Sequence, residues 1–125
     1  MTVTGFMAAM DPKVLQGVFE EALTASSTDA HVTFKPMFGG ILAYADGKPL
    51  ASLFDGGIGL KLGASDQEEL LKIKGAKRLK YEVDSAPSKT YIVVPESFHK
   101  DRKTFAGWIE RSIGFVRAPG GKKKR

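Results

Sequence analysis

The chain has 125 residues, 42% hydrophobic and 26% charged, which suits one globular domain with a single core and leaves no room for a second. It has no Cys and no Asn, which excludes disulfides, thiolate metal sites, cysteine nucleophiles and N-glycosylation. No apolar run approaches the ~20 residues that span a bilayer, and the opening MTVTGFMAAM carries no Lys or Arg, so the expectation is a cytoplasmic protein without membrane contact.

The formal net charge of +5 is unevenly placed. Residues 1–70 hold four bases and nine acids, residues 71–116 hold ten bases and five acids, and residues 117–125 hold five bases and no acid. The body is therefore neutral overall but polarised, and the division expected is a domain over residues 1–116 with a basic, disordered tail over 117–125.

In chain order, Asp11 and Pro12 are a cap and a first helical residue, and Val14, Leu15, Val18, Phe19, Ala22 and Leu23 recur at helical spacing, so a helix is predicted over 11–25. Residues 31–62 read as a three-stranded meander. One strand runs from about His31 to Ala45, with Pro36 marking an edge and Gly39-Gly40 a bulge or close backbone approach. Asp46-Gly47 is a two-residue hairpin turn, Lys48 to Phe54 returns, and Ile58 to Leu62 follows after Asp55-Gly56-Gly57. Ser65 with Glu68 has the form of a capping box opening a short helix that Gly75 ends. Strands are predicted near Leu79–Val83 and Thr90–Val94, and a last helix over 101–116 with Phe105, Trp108, Ile109 and Ile113 on one face. The whole reads as α+β: an antiparallel sheet of about five strands covered by the terminal helices.

The residues assemble no catalytic group, metal site or cofactor-binding motif. Gly56-Gly57-Ile58-Gly59 joins two strands and opens onto no helix N-terminus, unlike a phosphate loop. His99 lies near Glu96 and Asp101 in what reads as a charged helix start, and no Ser, His and Asp share a nucleophile-elbow sequence. Two basic clusters stand out as candidate nucleic-acid contacts: Lys72, Lys74, Lys77, Arg78 and Lys80, and the terminal Lys122, Lys123, Lys124 and Arg125. Tyr81, Tyr91 and Trp108 would add stacking surfaces if exposed. The plain alternative is a solvated face and a solubilising tail.

Lys35-Pro36-Met37-Phe38-Gly39-Gly40, the Asp46-Gly47-Lys48 turn, Leu60-Lys61-Leu62, Tyr91 to Pro95-Glu96 and the late Trp108 together resemble the N-terminal domain of the TfoX/Sxy family, over roughly Val14 to Ile113. The sequence departs from the family after Gly40, where a further Gly and an aromatic are usual and Ile41-Leu42-Ala43-Tyr44 stand instead. The resemblance implies a bacterial protein. Named members regulate natural competence, acting with a cyclic-AMP-responsive transcription factor, and carry a second, C-terminal domain; a stand-alone version is expected here. The family offers no catalytic residues to carry over.

The function expected is thus a small regulatory module acting through a protein partner and not an enzyme. The alternatives are a nucleic-acid-binding protein using the two basic clusters, and a small-ligand binder or enzyme with a pocket near Met37–Gly40. For Met37, Phe38, Gly39 and Gly40 the expected role is structural. Two glycines inside a strand weaken it by about 0.5–1 kcal/mol each relative to Ala. At least one of them should therefore need a positive φ or a contact too close for a Cβ.

Overall fold

The computed structural model describes residues 10–37, 39–80 and 86–118. Helix α1 spans Pro12–Ala25, with Pro12 in its first turn and the Asp11 carboxylate accepting from the Lys13 N–H at 2.9 Å. This carboxylate satisfies one of the donors that a helix start leaves orphaned. Leu15, Phe19 and Ala22 are buried. Val14, assigned to the same stripe by periodicity, is 63% exposed instead, because the buried stripe is narrower than the apolar one.

Four strands follow: β1 Val32–Met37, β2 Gly40–Ala45, β3 Lys48–Phe54 and β4 Gly57–Lys61. The single strand expected over His31 to Ala45 is therefore a hairpin of two strands, with Met37 paired to Gly40 across a two-residue turn. Gly39 sits in that turn at φ +79°, a conformation that side-chain-bearing residues rarely adopt. Gly40 answers a different need: a Cβ there would lie 2.6 Å from the Leu53 carbonyl oxygen of β3. Both glycines are thus required by the backbone. The next turn is as predicted, with Asp46 at φ 52° and Gly47 at φ 85°, the signs of a primed hairpin turn.

Helix α2, Ala64–Leu71, is preceded by Gly63 as its cap residue, with no side-chain cap. Ser65 lies inside the helix, so the expected capping box is not formed. Strand β5 is only Lys77–Arg78, shorter and earlier than the strand predicted near Leu79–Val83; residues 81–85 of that prediction lie outside the described residues. Strand β6 is Tyr91–Val93. A 3-10 helix at Glu96–Lys100, which the sequence pattern did not indicate, buries Phe98 and leads into α3, Arg102–Arg117. Asp101 caps α3 by accepting from the Thr104 N–H at 3.3 Å and its hydroxyl at 2.8 Å.

The result is α+β: one antiparallel sheet of six strands, one more than expected, in the order β1-β2-β3-β4-β6-β5. Helices α1 and α3 pack against each other and on the central strands. Phe19 joins the layers, meeting Phe34 of β1 and Phe105 of α3 edge to face at 5.9 and 5.8 Å. Each such ring removed from water stabilises the fold by about 1.5–3 kcal/mol. Ser112, fully buried, donates to the Lys61 carbonyl at 2.7 Å with the Leu50 carbonyl 3.1 Å away, which ties α3 to β3 and β4. On the other face of the sheet Phe54, Leu79 and Val93 form a small cluster of their own.

Candidate functional site

The sheet has two edges, and β1 is the long one. Between it and α1 runs a groove of about 820 Å³. Its sheet wall is Phe34, Pro36, Met37, Gly39, Gly40 and Ile41; its helix wall is the turns from Asp11 to Glu20. Phe34 and Ile41 are there because even positions of β1 and odd positions of β2 point to the helix face in this register. Met37, 40% exposed, also borders the groove. Gly17, in the middle of α1, contributes no side chain, and nothing lies within 4 Å of where its Cβ would be.

Three polar side chains of the helix wall are engaged locally. Asp11 caps α1, and Gln16 donates to Glu20 at 3.3 Å. The groove therefore offers apolar contact with carboxylates and one ammonium, Lys13, at its rim, rather than groups converging on a point. Its position matches the pocket anticipated near Met37–Gly40. The helix wall could not be placed by sequence reasoning; the available signal was an exposed Gly17 interrupting a good helix. Phe38, also of the motif, lies outside the described residues.

At the opposite edge, Lys72, Lys74, Lys77 and Lys80 are exposed along the turn after α2 and strand β5. Arg78 of the same cluster is not a free cation. It donates to Gln67 Oε1 at 2.8 Å and to the Ser88 carbonyl at 3.4 Å, while buried Gln67 donates to the Leu62 carbonyl at 2.8 Å. Arg78, in β5, thus ties α2 to the segment that leads into β6. Trp108 is buried and carries the Arg111 guanidinium over its ring at 4.3 Å, so it offers no stacking surface, and Tyr91 is half-buried. Lys122, Lys123, Lys124, Arg125 and Tyr81 lie outside the described residues.

Arg117, counted with the tail, is the last residue of α3. Its guanidinium pairs with Asp29 and Asp46, each at 3.0 Å, and holds the Asp29 carboxyl below its ordinary pKa of 3.8. His99 is half-buried beside Phe105, its Nε2 has no hydrogen-bond partner, and burial pushes its pKa below 6.5 against the opposing pull of Glu96. Among the described residues no three His, Asp or Glu side chains come together as a metal site, and no helix is long and apolar enough to cross a membrane.

Fold and edge groove define a small α+β domain, and the comparisons give its family. The model of the TfoX N-terminal domain matches residues 24–116, so the chain belongs to the TfoX N-terminal domain family. No curated protein and no solved structure matches it. The sheet wall of the groove falls within the matched stretch, whereas the helix wall, Asp11 to Glu20, precedes it.

Proposed function

We propose that the chain is a small cytoplasmic regulatory module that works by binding a protein partner and not by catalysis. The observation that carries the reading is the groove between α1 and the β1–β2 hairpin. It is apolar on its sheet side, reaches the sheet edge, and is rimmed on its helix side by Lys13 and by Asp11, Gln16 and Glu20, the last three hydrogen-bonded within the helix. Apolar area presented this way is characteristic of surfaces that receive another chain. Membership in the TfoX N-terminal domain family supports a role in regulation.

The test is retention of proteins from native lysate, with and without nuclease treatment, on the full chain, on a chain shortened to residues 1–118, and on Gly17→Gln. The truncation stops after Ala118 because Arg117 belongs to the folded body. The reading expects one defined protein held by the first two baits and lost from the third. Retention that vanishes with nuclease, or with residues 119–125, would transfer the function to the nucleic-acid alternative, for which the exposed Lys72, Lys74, Lys77 and Lys80 are the structural argument.

A further inference from the structure

Resting on the protein-partner reading, we propose that the partner is engaged as an extended peptide segment that adds to β1 as a seventh strand, with every second side chain entering the groove beside α1. The argument begins with the ladder. The His31 carbonyl accepts from the Asp46 N–H at 2.8 Å, and the β1–β2 register then runs unbroken from Val32↔Ala45 to Met37↔Gly40. Antiparallel pairs alternate between hydrogen-bonded and non-hydrogen-bonded. Thr33, Lys35 and Met37 therefore direct their backbone groups to β2, while Val32, Phe34 and Pro36 direct theirs outward. Among the described residues nothing pairs with the Val32 and Phe34 amides or with the carbonyls of Val32, Phe34 and Pro36.

The same three residues carry their side chains on the helix face, and Phe34 and Pro36 line the groove. A strand laid along β1 thus meets free donors and acceptors on one side and an apolar trough under alternate side chains. This pairing of main-chain affinity with side-chain pockets is how sheet edges capture peptides. The six residues of β1 measure about 20 Å at the usual strand rise, which fixes the docked segment at five or six residues.

Two features choose among occupants. Pro36 has no N–H. A two-fold pairing of β1 with the β1 of a second copy, centred on Phe34, would set each Val32 against a Pro36 and forfeit a hydrogen bond twice. A peptide forfeits it once at most. The rim also carries Asp11 and Glu20 against the single Lys13, within a stretch of four bases and nine acids over residues 1–70. The segment is therefore one with alternating apolar residues and Lys or Arg at its flanks.

The probe is a displayed library of random peptides panned against the full chain, followed by synthesis of the enriched sequences. The proposal expects apolar alternation with basic flanks, and a loss of affinity of about tenfold for N-methylation at alternate peptide amides, the scale of one backbone hydrogen bond to an edge, with no loss at the amides between them. Gly17→Gln should abolish binding. Gly107→Gln, a matching change on α3 where again nothing lies within 4 Å, should leave it intact. Four results overturn the proposal: no enrichment; N-methylation that acts equally at every position, as for a helical ligand; indifference to Gly17→Gln; or binding about tenfold tighter once residues 1–9 are removed, which would make those residues the occupant. Each of these leaves the broader reading to the lysate experiment, which does not depend on the peptide's conformation.

Discussion

The two edges of the sheet handle the same liability in opposite ways. An edge strand leaves a row of backbone donors and acceptors open to any passing strand, and proteins usually blunt it with brevity and lysine. Strand β5 does both: it is two residues long, begins with exposed Lys77 and is flanked by exposed Lys74 and Lys80. Strand β1 is six residues long, carries one exposed lysine, Lys35, directed to the face away from the groove, and borders an apolar trough. The lesson is that the same residues read differently once placed: Lys74, Lys77 and Lys80, which suggest nucleic acid in the sequence, also lie where they protect a sheet edge. Gly39 and Gly40, required by the backbone, also line the groove together with Met37.

The largest expected effect tests whether the β1 edge is rigidly built. Gly40→Val drives a Cβ toward the Leu53 carbonyl and should cost about 3 kcal/mol in chemical denaturation. Gly39→Val meets open space and suffers only from its positive φ, so about 1–2 kcal/mol is expected. Equal losses would mean that the hairpin is not pressed against β3 as described.

At the other edge, Arg78→Met leaves the buried Gln67 Oε1 without its donor and should cost about 1–3 kcal/mol, whereas Lys77→Ala should stay within about 0.5 kcal/mol. Thermal melts of the two variants separate a structural base from a solvated one. A smaller, opposite change is expected at the groove. Gly17→Ala should stabilise α1 by about 0.5–1 kcal/mol, because nothing crowds the added methyl and the helix gains propensity.

Acid should weaken the joint between the sheet and α3, away from both edges. His99 is held neutral by burial, so its folded-state pKa lies below the unfolded value of 6.5. Above 6.5 both states are neutral and nothing is lost. Below it the unfolded chain takes up the proton first, so stability falls as pH drops toward the depressed folded value. The melting temperature of the parent should therefore decline between about pH 7 and pH 5.5 more steeply than that of His99→Gln; parallel curves would remove burial of His99 as a cause. For the nucleic-acid alternative, a salt titration on random duplex DNA compares the full chain with residues 1–118. If the tail neutralises phosphates, the slope of log K against log salt should shrink by up to about four, near 0.9 for each of its four terminal cations.

Much of this fold was legible because local chemistry and tertiary context agreed. Asp11-Pro12, Asp46-Gly47 and Asp101 each announce a cap or turn that needs no distant partner, and each is found in that role. The hairpin that pairs Met37 with Gly40 is hidden in the sequence because Met-Phe stands there, where a turn usually shows Asn or Asp. Ser65 misled because a capping pattern records propensity, and the chain starts α2 at Ala64 instead. Arg117 looked like tail until Asp29 and Asp46, remote in sequence, were placed beside it. The groove was half legible: the motif marked one wall, but no local signal brings Asp11 to Glu20 against Phe34 to Ile41.

Amide hydrogen exchange along β1 tests the central claim most directly. In the full chain the Val32 and Phe34 amides should exchange fast while Thr33, Lys35 and Met37 are protected, and an enriched peptide should slow Val32 and Phe34 while leaving the protected set as it was. Protection of Phe34 equal to that of Lys35 before any peptide is added would contradict the account, since the edge would then already be paired.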